Sequence, residues 1–192
     1  MKELVCVITD SVKGCKMWVF GYGSLLWNPG FEPVEQVRAD LPGYLRSFCM
    51  LSIHHRGTVK KPGLVLALDE AGAGSYCAGM ALRASEAQAD QVLEYLRERE
   101  LVSSAYEEKW IDLTLVDGRN VRAVTYLVDR SHVQYCQYDL DHQARIIAGA
   151  VGGRGPNPEY LYNTAKLLQS LEIADPELDY LANKVSKLMK AG

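Results

Sequence analysis

Apolar residues fall in short runs through the middle of the chain, at positions 47–53, 64–68, 77–82, 110–116 and 121–128, each closed off by Gly, Pro, Asp or Asn. Runs of this kind between turn-forming residues predict β-strands. The last two flank Asp117-Gly118-Arg119-Asn120, a strong hairpin signal, and are expected to pair. An earlier run, Trp18-Val19-Phe20-Gly21-Tyr22-Gly23-Ser24-Leu25, begins as a strand, breaks into a glycine-containing loop and meets the turn signal Asn28-Pro29-Gly30. Helical spacing takes over at 85–100, 140–151 and 158–190, the last divided near Ala174-Asp175-Pro176. Strands dominate the centre without regular strand–helix alternation. The expected fold is therefore mixed α/β (α+β): a largely antiparallel, curved or barrel-like sheet flanked by helices. It occupies residues 17–192, behind an N-terminal extension, 1–16, that is either an added strand or a loose leader.

Composition narrows the classes of function. The 192 residues are enough for one domain with a continuous core. A net charge of -3, from 21 basic and 24 acidic residues without a Lys/Arg-rich run, argues against a nucleic-acid partner. The apolar stretch at 4–8 is too short for a signal-peptide core or a membrane span, so no membrane association is expected. The cysteines, Cys6, Cys15, Cys49, Cys77 and Cys136, are odd in number and irregularly spaced, as in a cytoplasmic protein with reduced thiols. They read as small buried hydrophobes. His54 and His55 would alternate faces in an extended segment and lack Cys, Asp or Glu at ligand spacing, so no metal site is expected. His132 and His142, isolated in polar surroundings, read as solvated.

One carboxylate stands out. Ser85 and Gln88 have capping-box spacing at the start of the first predicted helix. Ala89, Val92, Leu93 and Leu96 then form its apolar stripe, and Gln91, Glu94 and Glu98 its polar face. Four residues beyond Leu96, the stripe lands on Glu100, which should point inward while Glu98 points to solvent. An inward Glu is either a structural partner for an arginine or a general acid–base group whose pKa burial brings toward neutrality. The loop Gly21-Tyr22-Gly23-Ser24 has two readings as well: backbone amides around an anion, or a tight turn. A dinucleotide fingerprint fails, because Leu26 stands where the third glycine belongs and Pro29-Gly30 interrupts the helix that should follow. Arg56 could hold a carboxylate or a structural ion pair. Tyr22 and Tyr160 could serve a ligand or a core edge.

Taken together, residues 18–25, His55-Arg56-Gly57-Thr58, Pro62-Gly63, Arg99-Glu100-Leu101 and the segment 157–161 resemble, in order and approximate spacing, the ChaC family of glutathione-specific γ-glutamylcyclotransferases. The resemblance extends from about Met17 to the C-terminus. It implies a mixed α/β fold with a small β-barrel and an enzyme that needs no cofactor. The substrate would be glutathione or a related γ-glutamyl peptide, cyclised to 5-oxoproline. It also implies that Glu100 is the acid–base residue, that Val19, Phe20, Gly21, Tyr22, Gly23 and Ser24 form the substrate-binding loop, and that Tyr160 lies close by. The chain departs from the pattern in having His54 where some members carry an acid and Leu64 where some carry arginine. The segment after Glu100 also lacks the glycines common there. Two alternatives keep the same fold: a cyclotransferase for other γ-glutamyl amines or amino acids, and a non-catalytic γ-glutamyl-binding module linked to ion transport.

Overall fold

Alternation along the first strand sets the layers of the molecule. In the computed structural model, which describes residues 16–102 and 104–191, Trp18, Phe20 and Tyr22 join one apolar cluster while Met17 and Val19 join another. The strands are β1 (Trp18–Gly21), β2 (Glu35–Pro42), β3 (Tyr44–Ser52), β4 (Gly63–Glu70), β5 (Tyr76–Arg83), β6 (Tyr106–Leu115) and β7 (Asn120–Val128). They pair in the order β1-β5-β2-β6-β7, and β7 returns to β1 through Trp18↔Ala123 and Val19↔Val124. This closes a five-stranded barrel. β4 runs parallel to β7 at Leu68↔Leu127, and β3 pairs antiparallel with β4, so these two strands form a flap beside the barrel.

Small residues make so narrow a barrel possible. Ala39, Cys77, Ala81 and Ala123 share its interior cluster with Phe20, Leu113 and Leu115. Gly79 leaves room for Phe20, because a Cβ there would lie 2.8 Å from the Phe20 ring and 2.5 Å from the Gly21 carbonyl oxygen. The expected hairpin joins β6 to β7, with Gly118 at φ 87°. β2, with Val37, Ala39 and Leu41 alternating against Gln36, Arg38 and Asp40, was not among the expected strands.

Helix α1 (Ala89–Glu100) packs outside the barrel, with Val92, Leu93 and Leu96 against Val19, Leu82, Val124 and Tyr126. It starts later than the pattern suggested. Ser85 donates to the Gln88 side chain (3.0 Å) in a preceding turn, so the expected capping box does not form. Helices α2 (Leu140–Gly149), α3 (Asn157–Ser170) and α4 (Pro176–Ala191) pack on Phe48, Leu64 and Leu66 of the flap. A short hairpin, β8 (Val151–Gly152) and β9 (Gly155–Pro156), lies between α2 and α3 and takes the end of the helix expected at 140–151. The expected extension, 1–16, lies outside the described residues except for Lys16, as do Cys6 and Cys15. Cys49, Cys77 and Cys136 are buried free thiols, and burial pushes their pKa values up to about 12, 11 and 11. His132 accepts from the Gln134 backbone N–H at Nδ1 (3.2 Å), so it is more engaged than a solvated histidine.

Fully buried Asn157 fastens α3 to the flap. Its side chain accepts from the Leu64 N–H (2.7 Å) and donates to the Leu64 carbonyl (2.7 Å), supplying the rung that a neighbouring strand would otherwise give. Leaving both groups unpaired in the interior should cost about 2–4 kcal/mol. Urea unfolding of Asn157→Leu should register that loss. A change under about 1 kcal/mol would mean that other donors and acceptors take over the rung.

Candidate active site

A cavity of about 330 Å³ lies where the loop after β1, the last turn of α1 and the first turn of α3 converge. The loop tightens at once into a 3-10 turn, Ser24–Leu26. The backbone N–H groups of Gly23, Ser24 and Leu25 have no hydrogen-bond partner among the described residues, as is normal for the start of a helical turn. Gly23 lies against α3: a Cβ at this position would sit 3.2 Å from the Tyr160 hydroxyl. The Tyr22 carbonyl accepts from Arg46 Nη1 (2.7 Å), and the Tyr22 hydroxyl donates to the Tyr126 carbonyl (3.0 Å).

Glu100 ends α1 in the phase set by Val92 and Leu96, and its side chain is 18% exposed. Burial lifts its carboxyl pKa above the ordinary value near 4.5. Arg99 and Arg154 draw it back down without cancelling the rise. The negative end of the helix dipole works in the same direction as burial. Arg99 is committed on two sides. Its Nε lies 3.0 Å from Glu100 Oε1, while Nη2 donates to Ser24 Oγ (2.8 Å) and Nη1 to the Asn28 carbonyl (2.6 Å). One guanidinium therefore orients the carboxylate and fixes the loop facing it.

Tyrosines form much of the remaining wall. Tyr160 accepts from the Leu66 N–H (3.3 Å), and Tyr106 donates to the Leu66 carbonyl (3.3 Å). Burial, reinforced by the nearby Glu100 charge, pushes the Tyr22, Tyr106 and Tyr160 hydroxyls upward, so they stay neutral. At the rim, the turn between β8 and β9 grips the segment 54–56 through Gly153 N–H to the His54 carbonyl (2.8 Å) and Arg154 N–H to the His55 carbonyl (2.9 Å). Only glycine fits at 152, where a Cβ would lie 2.4 Å from the Gly57 nitrogen. His54 and His55 both line the cavity from this bent segment rather than alternating on a strand. Burial, then Arg154 and other nearby cations, hold the His55 pKa down and favour its neutral form. Arg56 is buried, donates to the Pro156 carbonyl (3.1 Å) and sits 5.7 Å from the Tyr160 ring centre.

Of the residues singled out in the sequence, Glu100, Tyr22, Gly23, Ser24, Arg56 and Tyr160 line the cavity together. Val19 and Phe20 do not. Their side chains are fully buried in the two clusters on either side of β1, and Gly21 ends that strand without reaching the cavity wall. Arg99, Arg154, Asn28 and Tyr106 line it as well, although the sequence reading assigned them no role. A cation in the last turn of a helix that ends in an inward carboxylate was a usable signal for Arg99. Arg154 and Tyr106 had no comparable local signal.

Comparison with known proteins adds a family and a fold. The ChaC-like protein family model matches residues 17–188. The glutathione-specific gamma-glutamylcyclotransferase of Escherichia coli (strain K12) is 38% identical over 175 residues, covering 90% of this chain and 74% of its own length. A protein of the same name from Schizosaccharomyces pombe is 34% identical, covering 91% of this chain and 94% of its own length. The crystal structure of a selenomethionine-labelled gamma-glutamyl cyclotransferase specific to glutathione from yeast superposes with a TM-score of 0.80 at 23% identity, over 90% of this chain and 96% of that one. At that identity the superposition establishes the shared barrel-and-helix fold.

The raised pKa of Glu100 has a consequence for stability. The folded state holds this proton more tightly than the unfolded chain, whose carboxyl titrates at the ordinary value near 4.5. The stabilising contribution is thus complete below that pH and is lost as pH rises through the folded pKa. Glu100→Gln lacks this loss, so its stability advantage over the wild type should grow between acid and neutral pH. Paired urea titrations at pH 4 and pH 7.5 measure it, and an advantage that shrinks toward neutrality would contradict the burial of this charge.

Proposed function

The chain belongs to the ChaC-like protein family, and we propose that it is a γ-glutamylcyclotransferase that converts glutathione to 5-oxoproline and Cys-Gly. The observation that carries the reading is the placement of Glu100: a nearly buried carboxyl of raised pKa in a cavity faced by a loop with free backbone N–H groups. In a γ-glutamyl peptide the α-amine reaches its own γ-carbonyl and closes a five-membered ring. The protein therefore has to hold one conformer and move protons. Holding such a near-attack geometry is worth up to roughly 7–11 kcal/mol of barrier.

The amides of Gly23, Ser24 and Leu25 are suited to the glutamyl α-carboxylate. Tyr22 and Tyr160 are suited to the glutamyl body and the carbonyl. Ionised Glu100 takes a proton from the α-ammonium, and the freed nitrogen forms a bond to the γ-carbon. The tetrahedral centre then collapses with rupture of the bond to the cysteinyl nitrogen, which Glu100 protonates. The ring nitrogen then loses its second proton to solvent and the departing amine takes up one from solvent, so over the whole reaction the α-nitrogen gives up two protons, the departing nitrogen gains two, and nothing is oxidised or reduced. The raised pKa suits a group that must accept a proton and return it. We place the reaction in the cytoplasm, where the buried thiols of Cys49, Cys77 and Cys136 would stay reduced.

Purified protein incubated with reduced glutathione should release 5-oxoproline and Cys-Gly in equal amounts. Glu100→Gln should lower kcat by about 10²–10⁴-fold while calorimetric binding of glutathione is kept. Since Glu100 must be ionised to start, kcat/KM should fall as pH drops through its raised pKa, on an acid limb lying above the ordinary carboxyl range. Turnover of γ-glutamyl-alanine alone would favour a broader γ-glutamyl enzyme. Folded protein that binds glutathione and turns over neither would point to a binding module.

A further inference from the structure

Three arginines line the cavity, and two are already engaged. Arg99 is divided among Glu100, Ser24 and Asn28, and Arg56 is held by the Pro156 carbonyl and the face of Tyr160. The rim acid near them, Glu159, is turned to Arg56 Nη1 at 3.9 Å. Arg154 differs from both. Among the described residues its guanidinium makes no hydrogen bond or ion pair, although its backbone N–H is fixed on the His55 carbonyl at 2.9 Å. It is exposed at the tip of the β8–β9 hairpin, on the cavity wall, and its charge is felt by both Glu100 and His55. The hairpin is packed backbone to backbone against the segment 54–57 through Gly152, so the base of this side chain is rigid while its head is available.

The geometry points to Arg154 as the residue that reads the C-terminal carboxylate of the peptide substrate and so separates γ-glutamyl peptides from γ-glutamyl amines. The inference rests on the glutathione reading above. With the glutamyl head at the loop amides and the scissile bond beside Glu100, the rest of the peptide runs outward to the rim. Its terminal glycine carries the one remaining negative charge. A guanidinium matches a carboxylate with two parallel hydrogen bonds, and Arg154 is the cavity arginine whose guanidinium donors are all uncommitted among the described residues. Arg56, whose sequence context also allowed it to hold a carboxylate, is buried, with Nη1 on the Pro156 carbonyl and its guanidinium over the Tyr160 ring.

The test compares reduced glutathione with its glycyl amide, which keeps the head and the scissile bond and loses only the terminal charge. Wild type should prefer glutathione in KM by about three- to ten-fold, the range of a charge-assisted contact at an exposed site. Arg154→Ala should raise KM for glutathione by that factor, leave KM for the amide nearly unchanged and so abolish the preference. Arg154→Lys should restore part of it, and added salt should weaken it in the wild type and in the lysine variant. Any effect of Arg154 on Glu100 ionisation is common to both substrates and cancels in the ratio. Equal changes for the two substrates, or none for either, would overturn the assignment while leaving the proposed reaction standing. Folded wild type that consumes neither substrate would overturn both.

Discussion

The guanidinium of Arg46 is the constraint on which the arrangement depends, because it joins three layers in one buried group. From β3 it donates to the Tyr22 carbonyl in the loop, to the Ala78 carbonyl on β5 and, through Nε, to Asp175 at 2.9 Å. The other oxygen of Asp175 accepts from the Leu178 N–H and so caps α4. A buried charge left without partners costs several kcal/mol, so the loop, the barrel and the helical layer are held to one relative position or lose that compensation together. The loop facing Glu100 is therefore not a free surface segment. Its entry is fixed by Arg46 and its exit by Arg99, on carbonyl oxygens at Tyr22 and Asn28.

Between those anchors the site resolves a conflict between burial and charge. Desolvation favours the protonated form of Glu100, and a fully compensating cation would favour the ionised one. Arg99 sits next to it and lowers its pKa, yet the donors of Arg99 are divided between the carboxylate and the loop. The surrounding tyrosines add hydrogen-bonding capacity without adding charge, since burial keeps their hydroxyls neutral. The result is a carboxyl of raised pKa set among hydroxyls that stay neutral.

What the sequence made legible follows the range of the interactions. The inward phase of Glu100 was readable because Val92 and Leu96 lie on the same helix, and the β6–β7 hairpin because its turn is local. β2 escaped notice because charged residues alternate with Val37, Ala39 and Leu41, so no continuous apolar run marks it. The first residues of β6, Tyr106 to Lys109, escaped for the same reason. Barrel closure rests on two parallel pairs between β1 and β7, which no local pattern encodes. The loop partners of Arg99 lie 71 and 75 residues away, so its double role depends on the fold being in place. Val19 and Phe20 belong to the same sequence motif as the loop but serve it differently, as the buried strand that delivers Tyr22, Gly23 and Ser24 to the cavity.

That division between scaffold and wall suits the proposed reaction, which uses no protein nucleophile. A reaction in which the substrate attacks itself places its demand on position rather than on reactivity. The features that define position here act on the backbone: glycines at 57 and 152 where a Cβ would clash with the neighbouring main chain, and arginines at 46 and 99 that bind main-chain oxygens. The cavity side chains then need only modest chemistry of their own. In the proposed reaction one carboxyl would handle protons, neutral hydroxyls and amides would face the polar atoms of the substrate, and a cation at the rim would be left for the end of the peptide that does not react.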